Sequence, residues 1–344
     1  MQHNIPAEDP TAVSRKKDHI DLALKSRIDA AKLDPRFYYE PLFAAHPLPG
    51  SLPTLDFAGK ILRAPLWVSS MTGGTAIANT INHNLARACR EFGMGMGLGS
   101  CRQLLYSNEM LPDFDVRAAI GPDQPLFANL GIAQLEQLID AGETARIQEL
   151  IGKLQADGLI IHVNPLQEAM QPEGDLFKRP PLETIETVLR NYPGAVIVKE
   201  VGQGFGPDSL RALLQLPLAA VEFAAGGGTN FAKLELLRSE PAKQLIFEKI
   251  AAVGHSAAQM NSFIHAAVEQ LGAKRRVERL IISGGIQHFL DGYYLIQTSE
   301  IPAVYGQAAA FLEHAQGNYE DLQTFVQSQI RGLELAYAFL RPVR

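Results

Sequence analysis

Eight short apolar runs, each set apart by a polar or helix-patterned segment, constrain the fold of this 344-residue chain more than any other feature. They cover residues 66–70, 94–99, 126–130, 159–163, 195–201, 220–224, 280–283 and 302–306. Most are unalternated and rich in Ile, Val, Leu or Ala, the pattern of strands buried on both faces. Apolar residues recur at helical spacing over 76–92, 133–155, 181–191, 208–214 and 259–271. Repeated alternation of strand and helix predicts an α/β fold, a closed parallel TIM (β/α)8 barrel. An open doubly wound sheet competes, but no Gly-x-Gly-x-x-Gly opens the first helix, as a dinucleotide fold wants.

Residues 1–14 are polar and Pro-containing and are expected to be disordered. Residues 15–344 read as one domain: a helical arm over 15–32, a Pro-rich lead, the barrel, and an amphipathic closing helix over 315–344. A hydrophobic share of 47% allows a large core. The net charge of −6 argues against a nucleic-acid partner, which would call for a basic stripe. Two cysteines, Cys89 and Cys101, make no disulfide framework and suit a reduced, cytoplasmic protein. The first residues lack a signal peptide's basic start and apolar run, and no window has the length of a membrane span.

Polar or Gly-rich residues follow nearly every run: Ser70 to Gly74, Ser100 to Arg102, Asn129 to Gly131, His162 to Glu168, Lys199 to Gly202, Gly226 to Asn230 and Ser283 to Ile286. In a barrel these ends share one face, and the active site is built there. His162 and Asn164 lie two apart, so on a strand they point the same way. Gln167 and Glu168 follow at the strand's exit. Ser283-Gly284-Gly285-Ile286 either makes a tight turn or brings N–H groups to a phosphate, with Gly226 to Thr229 adding more. Lys199, inside an apolar strand, needs an acidic neighbour, an anion or an electron-rich ring as partner, or serves as a Schiff-base lysine. Arg15-Lys16-Lys17-Asp18-His19 opens an amphipathic helix, where basic residues are mildly disfavoured unless they meet an anion; Arg102 would be a bidentate partner to the same diphosphate. Glu168 beside Gln167 is a poor metal site alone and a reasonable Mg²⁺ site next to a diphosphate. Zinc spacing, a Gly-x-Ser-x-Gly elbow and a Walker loop are all absent from the sequence.

These segments, with Pro172-Glu173-Gly174-Asp175, together resemble type 2 isopentenyl diphosphate isomerase, the flavin-dependent form, over about residues 15–315. The pairing of His-x-Asn-x-x-Gln-Glu with Pro-Glu-Gly-Asp is its specific part; the Gly-rich loops are shared with many flavin barrels. The resemblance implies an FMN-binding barrel that interconverts isopentenyl and dimethylallyl diphosphate by a 1,3-proton shift. It implies FMN contacts from Ser70, Met71, Thr72, Ser100, Asn129, Lys199 and Thr229, with the FMN phosphate against Gly285, Ile286, Gln287, Ala308 and Ala309. It places the substrate diphosphate against Arg15, Lys16, His19, Ser100 and Arg102. Gln167, His162 and Asn164 would line the substrate pocket, Glu168 would hold Mg²⁺, and NADPH would reduce the flavin, whose N5 is the favoured proton carrier. It also implies a homotetramer or homo-octamer. Three departures stand out: residues 289–301 lack a regular Ala/Leu/Gly-rich helix, Val253-Gly254-His255-Ser256 replaces a Trp-Gly, and Ala224 replaces a Ser or Gly. The rival chemistry, oxidation of a hydroxy acid, wants a His/Arg pair on the late strands, which these strands do not offer. A non-catalytic phosphate-binding relative is the third reading, opposed by the intact Gln167-Glu168 and Arg15-Lys16.

Overall fold

Eight strands form the barrel: β1 (Leu66–Val68), β2 (Gly95–Gly97), β3 (Leu126–Gly131), β4 (Gly158–His162), β5 (Ala195–Lys199), β6 (Ala220–Glu222), β7 (Leu280–Ser283) and β8 (Ala303–Gln307). Each pairs in parallel with its sequence neighbours, and β8 pairs with β1 to close the ring. The computed structural model describes residues 11–70 and 76–343. Every expected run overlaps one of these strands, and the ring closes, so the closed barrel is the fold and the open sheet is excluded.

The two-residue period of a strand sorts the barrel's inside into layers. Trp67, Phe127, Ile160, Ile197, Ala220, Ile281 and Val304 fill one apolar layer. Two residues further along the same strands stand Ser69, Asn129, His162, Lys199, Glu222, Ser283 and Gly306. The apolar layer is thus the floor of a polar one at the C-terminal ends. On β2 both inward positions are glycines: a Cβ on Gly95 would strike the Trp67 ring, and one on Gly97 would strike Ile160 and Ser70.

A hairpin absent from the sequence reading, Leu55–Phe57 with Lys60–Leu62, closes the opposite end. Its turn residues Ala58 and Gly59 both have positive φ, 52° and 78°, as a tight primed turn requires. Phe57 and Leu62 are fully buried against the floor layer, with the Phe57 and Trp67 rings 5.0 Å apart. Lys60 ties the hairpin to Asp157, just before β4, at 2.6 Å.

Four other expectations are corrected. The 133–155 helix is two, Ile132–Asp140 and Ala145–Leu154, because Gly142 adopts φ 71° between them. Residues 289–301 do contain a regular helix, Phe289–Gln297. It packs through aromatics: Gly292 lies against the Tyr305 ring, and Tyr293 meets Phe37 and Tyr337 at 5.8 and 4.9 Å. The arm is a helix, Ala12–Leu22, then a 3₁₀ turn, Ala30–Lys32, rather than one helix. The closing helix, Tyr319–Phe339, ends in a strand, Leu340–Pro342, that pairs antiparallel with Phe37–Tyr39. Among the described residues no helix is long and apolar enough to cross a membrane. Cys89 and Cys101 are buried free thiols, and burial pushes Cys101 up to about 12.

Candidate active site

At the C-terminal mouth a cavity opens between the ends of β1, β5, β6, β7 and β8, with about 630 Å³ of empty space including its open side. Ser70, Lys199, Thr229, Gly285, Ile286, Ala308 and Ala309 line it, as the sequence reading expects of cofactor contacts. Met71 and Thr72 lie outside the described residues, as do Gly73 and Gly74. Gln287 is exposed, away from the lining, and its N–H donates to the Asp291 carboxylate at 3.0 Å. Asn129, on β3, lies two strands beyond that lining and is buried: its Nδ2 donates to the Leu98 carbonyl at 3.1 Å.

The glycine loops meet backbone to backbone. A Cβ on Gly227 or Gly228 would lie 3.2 Å from Gly285 backbone atoms. Gly284 has φ 95°, and a Cβ there would collide with the Ala225 peptide. The N–H groups of Gly227, Gly228, Gly285 and Ile286 make no hydrogen bond among the described residues. Together they form an anion cradle. Ala224, just before it, takes φ 43°, a conformation that favours glycine. The departing segment 253–256 supports this loop: the His255 carbonyl accepts from Gly226 N–H at 2.8 Å, and Ser256 caps the helix Ala257–Leu271. The Ile286 carbonyl accepts from Gln307 Nε2 at 3.1 Å. Gln307 Oε1 accepts from Gln329 Nε2 at 2.7 Å, and Gln329 Oε1 from the Tyr305 hydroxyl at 3.1 Å. A carbonyl can only accept, so each amide in this buried chain has one permitted orientation. Gly284→Ala should therefore lower stability by about 2 kcal/mol or more, through strain and backbone collision. A urea midpoint equal to that of the unmodified protein would contradict the cradle.

Lys199 is 5% exposed, and its Nζ donates to the Glu200 carbonyl at 2.7 Å. An ion pair with an acidic neighbour, one of the readings open for this lysine, is not made among the described residues: the Glu200 carboxylate instead accepts the N–H groups of Gly202, Gln203 and Gly204 at 2.6–2.9 Å. Sequence reasoning missed Glu222, a fully buried acid that also lines the cavity. The apolar character of its strand hid it. The signal was its place two residues beyond the floor residue Ala220. Ser69 Oγ, Ser70 Oγ and Glu222 Oε2 are buried and unpartnered among the described residues. Orphaned polar atoms over a glycine cradle fit a polar, phosphate-bearing cofactor such as FMN.

Next to the cavity, β4 delivers the His-x-Asn-x-x-Gln-Glu group. Asn129 Nδ2 faces a carbonyl, so its Oδ1 accepts from His162 Nδ1–H, at 2.8 Å, and Nε2 is left as an acceptor. Burial, then the nearby Lys199 ammonium, pushes the His162 imidazole down to about 3, so it is neutral. Its pKa lies below the roughly 6.5 of an unfolded histidine, so the unfolded chain binds more protons between those values. This contribution to stability is complete above about pH 6.5 and is lost as pH falls toward about 3. His162→Asn should flatten that acid-side decline. Urea midpoints that fall equally steeply in both proteins from about pH 7 to about pH 4 would refute it.

Pro165 starts the short helix Pro165–Met170, in which Glu168 occupies the first turn, where negative charge is favoured. Asn164 Nδ2 is shared between Gln167 Oε1 at 3.1 Å and Glu168 Oε1 at 2.9 Å. Glu168 Oε2 accepts the Asp175 N–H at 2.8 Å. That bond explains Pro-Glu-Gly-Asp: the loop folds back so closely that a Cβ on Gly174 would strike the Glu168 carbonyl. The Asp175 carboxylate then holds Arg102 at 2.8 Å. Asn164 Oδ1 is buried and unpartnered beside Glu168. Among the described residues no cluster of three His, Cys, Asp or Glu could hold a metal. One carboxylate with an orphaned amide oxygen fits Mg²⁺ only when phosphate and water complete its shell.

The structure brings Arg102 to this group and leaves Ser100 exposed near it in sequence. Arg15, Lys16 and His19 are exposed on their helix and are not among the described residues that line the cavity. Their helix is exposed along its described surface and packs extensively on no other element.

No protein-family model matches the chain. It is 33% identical to the isopentenyl-diphosphate delta-isomerase of Rickettsia felis over 342 residues, 96% of this chain and 93% of that protein. The enzyme of the same name from Rickettsia peacockii is 32% identical over 334 residues, 92% of this chain and 91% of its own. Among solved structures, a flavocytochrome b2 variant with pyruvate bound superposes with a TM-score of 0.58 at 13% identity, over 88% of this chain and 71% of that one. A mandelate oxidase variant with a monooxide FMN adduct gives 0.53 at 13%, over 90% and 87%. Similarity that remote speaks to the barrel alone. The near-complete coverage by the Rickettsia enzymes is what places the chain: it belongs to the isopentenyl-diphosphate delta-isomerase family.

Proposed function

We propose that the chain interconverts isopentenyl and dimethylallyl diphosphate as the type 2, flavin-dependent form of its family. The observation that carries this reading is the junction of two polar groups at one barrel mouth. One is the glycine-cradled cavity with Lys199; the other is the His162, Asn164, Gln167, Glu168, Asp175 and Arg102 group. FMN would be held by Ser70, Met71, Thr72, Ser100, Asn129, Lys199 and Thr229, with its phosphate toward Gly285, Ile286, Ala308 and Ala309. Reduced flavin supplies proton transfer at a ring nitrogen, with NADPH as the reductant.

The chain's own residues position and polarise. Lys199, which lines the cavity, would set a cation beside the bound flavin and so favour its anionic reduced form. His162 is neutral and presents Nε2 as an acceptor, so it orients substrate rather than donating a proton. Gln167 sits beside Glu168 to contact substrate, and Glu168 with Asn164 Oδ1 holds Mg²⁺ on the diphosphate. Arg102 adds positive charge, and Arg15, Lys16 and His19 reach the diphosphate once the arm is docked. Exposed Val13, Ile20, Leu22 and Leu24 on that arm, with Leu245, Ile246 and Phe247 elsewhere, support assembly into a homotetramer or homo-octamer.

Hydroxy-acid oxidation, to which the structural neighbours' names point, is disfavoured. It wants a His/Arg pair on the late strands, and neither residue type is among those lining the cavity. The deciding assay is anaerobic conversion of isopentenyl diphosphate with NADPH and Mg²⁺. Activity that persists with oxidised flavin, or a colourless, inactive protein, would defeat the reading.

A further inference from the structure

Among the described residues two charged side chains line the cavity, Lys199 and Glu222, and the flavin reading gives a task only to the first. Glu222 ends β6 and has no exposed surface. Ser283 Oγ donates to its Oε1 at 3.1 Å and accepts the Ala224 N–H at 2.9 Å, so this hydroxyl's direction, and with it the carboxylate's rotamer, is set. The other oxygen, Oε2, has no hydrogen-bond partner among the described residues. Lys199 is its register partner on β5, yet no ion pair joins them. A buried carboxylate oxygen without a donor is strongly disfavoured. A donor on what the cavity holds would satisfy it.

The order of the barrel says which part of the ligand that is. β6 lies between β5, which carries Lys199, and β7, which leads into Gly284 and Gly285. On the flavin reading, the ring edge lies at β5 and the phosphate at the loop after β7. Between ring and phosphate FMN has a ribityl chain, whose hydroxyls are donors. We infer that Glu222, oriented by Ser283, accepts a hydrogen bond from a ribityl hydroxyl and so selects flavins that carry the sugar chain. The inference rests on the flavin reading, and the test separates the two.

The purified protein, Glu222→Gln and Glu222→Ala are titrated with FMN, riboflavin and lumiflavin, following flavin fluorescence. Riboflavin has the hydroxyls but no phosphate; lumiflavin has neither. Glu222→Ala should weaken riboflavin by about 10- to 100-fold, as for one bond to a charged group, and leave lumiflavin unchanged. Glu222→Gln, which keeps an acceptor oxygen, should lose less. In the unmodified protein one of the 2′-, 3′- and 4′-deoxyriboflavins should show the same loss as Glu222→Ala, and the two losses should not add. Equal weakening of riboflavin and lumiflavin in Glu222→Ala would make Glu222 a support for Lys199 or for the fold, and overturn the inference. So would three deoxy analogues that all bind as riboflavin does, a comparison that needs no variant to fold. An unmodified protein that binds no flavin would overturn the flavin reading itself, and this inference with it.

Discussion

Glu168→Gln should abolish isomerisation, a fall of more than about 100-fold in kcat/KM, while the flavin stays bound. The side chain is 9% exposed and already accepts from Asn164 Nδ2 and from the Asp175 N–H. Each carboxylate oxygen has a second lone pair, so a cation can share it. An amide of the same shape keeps one oxygen but turns an NH₂ toward one of those two donors. Charge is lost and one bond becomes a clash. On the proposed reading Mg²⁺ would depend on the lost charge, because the group offers no second carboxylate free of a partner: Asp175 is held by Arg102. FMN does not depend on it, because Glu168 does not line the glycine-cradled cavity. The measurement is activity against Mg²⁺ concentration, with bound flavin read by absorbance. Loss of flavin along with activity would mean that the metal role is misassigned.

Lys199→Met should lower the two-electron midpoint potential of the bound flavin by on the order of 30–60 mV, corresponding to about 1.4–2.8 kcal/mol. Activity should fall with it by about 10- to 100-fold. The reason is again the environment. The ammonium is buried, and among the described residues its one hydrogen bond is to the Glu200 carbonyl, so its charge is free to act on the cavity. Methionine keeps the length and the packing and removes the charge. A second consequence follows from the same charge. Lys199 is one of the two causes that hold His162 neutral, so its removal should raise the His162 pKa, observable by NMR titration. An unchanged potential in the variant would place the cation away from the ring.

The barrel was legible because burial on both faces leaves a composition signature: an unalternated apolar run has few other uses in a chain of this kind. The cluster around His162 was legible for the opposite reason, since four polar side chains at the exit of such a run have no packing role. Gly174 and Asp175 could be noticed but not explained. Only the folded loop shows that the glycine lets the Asp175 N–H reach Glu168. The helix Phe289–Gln297 was misread because its partners, Phe37 and Tyr337, are far away in sequence and replace the usual aliphatic face with rings. The hairpin that closes the barrel was missed because its strands are three residues long, too short for any periodicity to show.

Glu222 marks the division most clearly. The number of strands, their order and the polar character of their ends are local properties, written in runs and periods of the chain itself. Which inward position belongs to the floor and which to the mouth is not local. It depends on the stagger of neighbouring strands, on the hairpin that closes the far end, and on the glycines of β2 that let Trp67 and Ile160 fill the floor layer. Those are contacts between residues distant in sequence. For that reason the sequence alone determined a barrel and most residues of its mouth. Only the tertiary structure decided that a buried acid faces the cavity beside Lys199, and that Arg15 and Lys16 stand exposed on their helix.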